Sequence, residues 1–288
     1  GGNVGSGGGV YLTGGETTLQ GTTLIGNNTT DRATSSTYGN KAHMGGGIYV
    51  NGAAVKLTLS DTSKVCQNFA DSYGGGMYIQ EADSVSIGLS SIISYNAAEY
   101  GNPVTAGAGG GVYVTKVNSF TSNGTIEYNY TYAGGGGIAI NESSSGTYNI
   151  NGTISNNRIS STSGSALWIG NDAVGTTVNL NAVMNNNTSN GISSNPVVYA
   201  DTGNSDLIFN PGNPIAINNG VIYLCAPAKI TVSTEIPNPI ILDTDNYPVY
   251  LYNNVPTPTF IVLGDITNLS IFDTVNYTLR VDGYLEEN

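Results

Sequence analysis

The sequence predicts an all-β chain wound as a parallel β-helix, a solenoid of about nine coils, and three observations carry that expectation. The first is a returning phrase: Gly7-Gly8-Gly9-Val10-Tyr11-Leu12, Gly45-Gly46-Gly47-Ile48-Tyr49-Val50, Gly74-Gly75-Gly76-Met77-Tyr78-Ile79 and Gly109-Gly110-Gly111-Val112-Tyr113-Val114, with Gly135-Gly136-Gly137-Ile138-Ala139-Ile140 as a fifth copy. Its strand persists in Leu167-Trp168-Ile169, Val198-Tyr199-Ala200, Ile222-Tyr223-Leu224 and Val249-Tyr250-Leu251, at a mean interval of about 30 residues, a solenoid-unit length. The second is an apolar residue followed three places on by Asn: Leu24 with Asn27, Val65 with Asn68, Ile93 with Asn96, Ile126 with Asn129, Ile154 with Asn157 and Val183 with Asn186. The third is period-two alternation between the two phrases, as in Val55-Lys56-Leu57-Thr58-Leu59, Val85-Ser86-Ile87 and Thr177-Val178-Asn179-Leu180, the mark of strands buried on one face.

Each element of a coil follows in order. The glycine triplet suits a corner where positive φ or close coil contact leaves no room for a Cβ. In the strand after it, the aliphatic pair shares one face and Tyr takes the other. The alternating stretch supplies a second strand and the apolar-x-x-Asn phrase a third, so about three strands are expected per unit. The Asn belongs at another corner, where its amide can bond to the Asn of the next coil. A unit of about 30 residues cannot bury its own apolar face and must stack on its neighbours at about 4.8 Å per coil, giving a rod of roughly 40 Å.

Composition narrows the class. Of 288 residues 40 are Gly, and with Asn, Ser and Thr abundant a helical fold is excluded. Eight Lys plus Arg against 20 Asp plus Glu give a net charge of −12, which excludes nucleic acid as a partner and disfavours an anionic membrane surface. No apolar run approaches the ~20 residues of a membrane helix. The chain opens inside a repeat, without an initiator Met or a signal peptide, and reads as a segment of a longer protein.

The apolar-x-x-Asn phrase followed by Gly-Gly-Gly-apolar-Tyr resembles the paired motifs of the chlamydial polymorphic outer-membrane proteins, and it is similar to the adhesin-like repeat proteins of gut bacteria and methanogens. The resemblance covers about residues 1–200. It implies a right-handed β-helix of the pectate-lyase-like shape, extracellular on a cell surface, adhering to a host or bacterial surface glycan or protein. From Ser205 the texture changes: eight of ten prolines lie between Pro211 and Pro258 and the glycine runs stop. Residues 1–204 are therefore read as regular coils and 205–288 as less regular coils with a closing cap, a small separate β domain being the alternative.

Two sets of residues are candidates for binding. If the aliphatic pairs point inward, Tyr11, Tyr49, Tyr78, Tyr113, Trp168 and Tyr199, with Tyr223 and Tyr250 beyond them, form an outer aromatic ladder able to stack on sugars or simply to cover its sheet. Loops of variable length between Asn and the glycine run, chiefly 29–44 and 97–108, should project from one side and place Tyr38, His43, Tyr73, Glu99, Tyr100, Tyr130 and Tyr132 along one edge. Solvated turns are the bland alternative. Catalysis is not expected: glycoside hydrolysis needs two facing carboxylates, and the outward strand positions read Lys56, Thr58, Ser86, Asn149 and Asn179. The acid–base groups of the first long loop, Asp31, Arg32, Lys41 and His43, lack a motif, so a polysaccharide-degrading enzyme stands as the alternative function and a spacer as the second. No cofactor and no metal is expected; Asp243-Thr244-Asp245-Asn246 has alternating oxygens but no downstream Gly and Glu. Cys66 and Cys225, about six coils apart, are expected to be free thiols.

Overall fold

The structure, a computed structural model, describes residues 5–99, 107–141 and 146–189 except 162, 171, 174, 175 and 181; from 196 onward it describes the strands, as backbone apart from the buried Val198. The described residues are all-β. They contain no helix, and the strand pairs are parallel.

The strands that follow the glycine triplets form one sheet in chain order: Val10–Leu12, Ile48–Asn51, Met77–Ile87, Val112–Ser122, Ile138–Ile140, Leu167–Ile169 and Pro196–Ala200. The alternating stretches Glu16–Leu19, Lys56–Leu59, Thr147–Ile150 and Thr177–Leu180 pair beside it. In two repeats the two segments are a single strand, Met77–Ile87 and Val112–Ser122, so both belong to one sheet of 15 strands. These are the repeats with no glycine between the segments; elsewhere Gly14-Gly15, Gly52, Gly146 or Gly170 interrupts the strand. The apolar-x-x-Asn phrases form a separate sheet of Leu24–Gly26, Lys64–Cys66, Ile92–Ser94, Thr125–Glu127, Thr153–Ser155, Val183–Asn185 and Ile217–Asn218. A further sheet of short strands was not expected: Lys41–Met44, Phe69–Tyr73, Ala97–Ala98, Tyr130–Thr131, Arg158–Ile159 and Thr188–Ser189. Four strand segments per repeat, the first two fused in two of the repeats, replace the expected three, because the residues after each Asn pair briefly before the chain turns into the next triplet.

One apolar core runs between the sheets. Ile48, Leu57 and Val65 of one repeat give way to Met77, Val85 and Ile93, then Val112, Phe120 and Ile126, all buried. The register keeps like above like, as in Ile48↔Met77 and Val65↔Ile93, so each repeat completes the apolar surface of its neighbour.

The expected Asn corner is present and highly ordered. Asn68, Asn96, Asn129, Asn157 and Asn187 are buried in a column. The Oδ1 of Asn96 accepts from the backbone N of Asn68 at 2.8 Å and from its Nδ2 at 3.0 Å, while Asn96 Nδ2 donates to Val65 O at 2.9 Å. Asn129, Asn157 and Asn187 repeat the pattern. Two of the expected pairs are off by one. Ile25, not Leu24, stands in register with Val65, and Met184, not Val183, stands in register with Ile154, which puts Asn187 in the column. Adjacent apolar residues made both registers plausible in sequence. In the first repeat neither Asn27 nor Asn28 enters the column; Asn40 reaches in from the far end of the long loop and donates to Asn68 Oδ1 at 2.8 Å.

Beyond Ala200 the glycine sheet continues through Val221–Leu224, Ile240–Asp243, Thr259–Leu263 and Thr278–Asp282. A second sheet holds Leu207–Phe209, Ala228–Val232, Val249–Asn253 and Leu269–Phe272. Ile222 pairs with Leu242, Leu242 with Val262 and Val262 with Val281, so the repeat shortens from about 30 to about 20 residues. Tyr250 therefore leaves the expected column. It pairs with Lys229 in the second sheet, while Tyr223 pairs with Asp243. Cys225 and residues 244–246 lie outside the described residues.

Candidate functional site

The aromatic column forms in register, Tyr11↔Tyr49↔Tyr78↔Tyr113↔Ala139↔Trp168↔Tyr199. Neighbouring rings sit 5.0 Å apart for Tyr11 and Tyr49 and 5.3 Å for Tyr49–Tyr78 and Tyr78–Tyr113. It does not lie open. Tyr49, Tyr78 and Tyr113 are only 6%, 8% and 5% exposed, because Met44, Tyr73 and Ala108 pack over them from the neighbouring sheet edge. Tyr73 stacks on Tyr113 at 4.7 Å, so it belongs to this cover. Burial lifts the Tyr49 phenol above its ordinary pKa, helped by the neighbouring Tyr11 and opposed by a hydrogen bond with Ser6. Trp168 is half-buried, Tyr11 remains exposed at the end of the column, and the side chain of Tyr199 is outside the described residues. Most of the ladder thus serves as a second small core outside the sheet.

The loop edge is more open. Residues 27–39 form an Ω-loop whose two ends touch: Asn27 N donates to Cys66 O at 3.0 Å and Gly39 N to Gln67 O at 2.6 Å, on consecutive residues of the next repeat. A Cβ on Gly39 would meet Asn27 N at 2.4 Å, so only glycine closes this neck. The loop does not stand out into solvent. Ala33 is fully buried against Phe69, Ala97 and Tyr130, and its N donates to Tyr95 O at 2.8 Å. Arg32 of the first repeat thereby reaches the third and fourth: its guanidinium lies 3.9 Å over the Tyr130 ring and 3.7 Å from the Glu99 carboxylate. Lys41 pairs with Asp71 at 3.1 Å beside the rings of Phe69 and Tyr38. Burial raises the Glu99 pKa, and Arg32 opposes that rise.

Each expected loop residue can now be placed. Glu99 and Tyr130 are brought together by Arg32, with Tyr130 Oη hydrogen-bonded to Ser160 Oγ at 2.7 Å. Tyr38 is exposed beside Lys41. His43 and Tyr132 are half-buried on the same edge, and Tyr100 lies outside the described residues. Sequence reasoning missed Tyr95 and Tyr128, whose rings stack at 4.9 Å with an interplanar angle of 1°. Each precedes a column Asn and has positive φ, 57° and 53°, as have Gln67, Asn156 and Asn186. The signal was the residue before Asn, whose left-handed corner leaves Tyr95 half-buried and Tyr128 exposed, while Gln67 at the same corner is buried. Among the described residues no group of three or more His, Cys, Asp and Glu comes together, and no helix is long and apolar enough to cross a membrane. Cys66 is a free, buried thiol, its pKa raised by burial.

Taken together the edge offers cation-over-ring and ring-on-ring surfaces spread over four repeats. Comparison with known proteins finds no match: no family model, curated protein or solved structure aligns with the chain.

Proposed function

We propose that the chain is a right-handed parallel β-helix segment of an extracellular, cell-surface adhesin, one of the adhesin-like repeat proteins, that binds a surface glycan or protein without catalysis. The observation that carries this reading is the edge itself. Arg32, Tyr38, Tyr95, Glu99 and Tyr128 come from the first, third and fourth repeats and are brought to one side of the stack by the Ω-loop and the Asn column, with the buried Tyr130 ring beneath Arg32. Shallow contacts repeated along a rod supply avidity rather than one deep pocket. Two carboxylates of this edge are engaged by cations, Glu99 by Arg32 and Asp71 by Lys41, which suits a binding surface better than a pair facing across a glycosidic bond.

The test is retention on immobilised polysaccharides and whole cells, run beside an assay for new reducing ends or unsaturated products with and without Ca²⁺. Retention without turnover, weakened at least fivefold by Arg32→Ala with Tyr128→Ala, is the expected result. Turnover on any polysaccharide overturns the non-catalytic reading. Absence of retention on every surface leaves a spacer.

A further inference from the structure

A groove of about 380 Å³ lies on the sheet that carries Leu24–Gly26, Lys64–Cys66 and Ile92–Ser94, lined by Thr22, Leu24, Asn28, Thr62, Lys64, Ser90 and Ile92. The register explains its construction. Leu24, Lys64 and Ile92 are direct neighbours on three adjacent strands, forming a floor of two aliphatic side chains with an ammonium between them. Two residues earlier in each repeat, Thr22, Thr62 and Ser90 occupy successive tight turns closed by Thr23 N to Gln20 O, Ser63 N to Ser60 O and Ser91 N to Gly88 O. They give a row of three hydroxyls parallel to the floor. Asn28, from the neck of the Ω-loop, closes one end.

Lys64 sets the chemistry. Lys41, Lys56, Lys116 and Arg32 each pair with a carboxylate, whereas Lys64 forms no ion pair among the described residues. Its Nζ donates to the neutral Oδ1 of Asn28 at 3.3 Å, and an ammonium has two further protons to give. Thr62 Oγ1 spends its proton on Gly21 O at 2.9 Å and keeps lone pairs for an incoming hydroxyl. The protein carries −12 overall, but the screening length at physiological salt is about 8 Å, so of its carboxylates only near ones such as Asp61, beside Thr62 and accepting from Gly21 N, weigh on this cation.

We propose that this groove binds an anionic sugar residue, its acidic group on Lys64 Nζ, its hydroxyls on Thr22, Thr62, Ser90 and Asn28, and its C–H face on Leu24 and Ile92. The groove volume is that of a small-ligand site. The dense hydroxyl row, with no deep apolar hole for a peptide anchor, favours a saccharide over a protein terminus. The inference rests on the glycan-binding reading above and names the class of glycan.

The full chain and its Lys64→Gln, Lys64→Glu and Lys64→Arg variants are titrated with glucuronate-, sialate- and sulfate-bearing oligosaccharides and with their neutral counterparts. Methyl shifts of Leu24 and Ile92 report the place of binding. Expected are saturable shifts with one or more acidic sugars, a loss of about ten- to a hundredfold in affinity for Lys64→Gln, a greater loss for Lys64→Glu, and retention within about threefold for Lys64→Arg. The carboxylated and sulfated members of the panel separate the two sources of anion. Equal binding of neutral sugars, or indifference to Lys64→Glu, overturns this groove while leaving a glycan-binding adhesin in place. Acidic glycans that are retained by the protein without shifting Leu24 or Ile92 overturn the groove alone. Silence of every glycan on both the groove and the Arg32 edge overturns the groove and the glycan reading together.

Discussion

At the scale of single residues, the corner of each repeat carries a conflict and its resolution. Gln67, Tyr95, Tyr128, Asn156 and Asn186 hold left-handed backbone angles that cost a residue with a Cβ about 1 kcal/mol or more. They persist because the next residue is the column Asn, whose amide binds groups of the repeats on both sides. Removing one amide is correspondingly expensive. Asn96→Ala leaves Asn68 N, one of the two protons of Asn68 Nδ2 and Val65 O without their partners in a buried site. The expected loss is about 3–5 kcal/mol, read from the urea midpoint, and a loss below 1 kcal/mol would refute a structural role for the column. Glu127 shows the opposite case. It stands in register with Ser94 and Ser155 close to the Tyr95–Tyr128 pair, and burial alone raises its pKa. The native state therefore binds its proton more tightly than the unfolded chain, and its contribution to stability falls as pH rises through the window just above the ordinary carboxylate value. Glu127→Gln should raise Tm slightly at pH 7, and the gain should vanish below about pH 4, where both side chains are neutral. An equal gain at both pH values would assign the effect to something other than ionisation.

Among elements, the glycine triplets and the Ω-loop differ in how far sequence revealed them. The triplets were legible because their constraint is local and repeated. A Cβ on Gly75 would lie 2.4 Å from both C and O of Ala97 and 2.6 Å from Gly110 O, all backbone atoms that cannot turn aside. Gly75→Ala is expected to cost more than about 3 kcal/mol, whereas Gly14→Ala, with no atom within 4 Å, should be neutral or gain about 0.5 kcal/mol through the unfolded state. Thermal unfolding of the two variants checks the contrast; similar Tm values would remove the packing argument. The strands after the triplets were legible for the same reason, as was the column of Asn in the middle repeats. What lay hidden depends on contacts between residues far apart in the chain. Nothing near Tyr49 says that Met44 and Tyr73 will cover its neighbours, and nothing near Asn40 says that it will replace Asn28 in the column. The same holds for the Ω-loop, expected to project and found lying across three repeats with Ala33 as its anchor. The edge residues Tyr38, Glu99 and Tyr130 were named from loop length alone. Tyr95 and Tyr128 were passed over because they sit in the regular part of the repeat.

For the whole molecule, the parallel register means that each repeat touches little beyond its two neighbours, so stability should behave as a chain of local terms joined by interfaces. Phe120 tests this. It is fully buried, its ring lies 6.0 Å from that of Tyr148 in the next repeat, and it pairs with Val85 in the one before. Phe120→Ala opens a cavity worth about 3–5 kcal/mol. Hydrogen exchange should then rise in Met77–Ile87, Val112–Ser122 and Thr147–Ile150, while Leu167–Ile169, one repeat further out on the C-terminal side, keeps most of its protection. Two features set the reach of the damage. The Arg32 contact ties the first repeat to the fourth, so loss of protection should spread further toward the N-terminal side than a strict nearest-neighbour chain allows. Combining Phe120→Ala with Arg32→Ala should confine it again, because the strap no longer transmits strain past one interface. A uniform loss of protection from Val10 to Leu180 would instead show a single cooperative unit, in which the shared core outweighs the independence of the repeats.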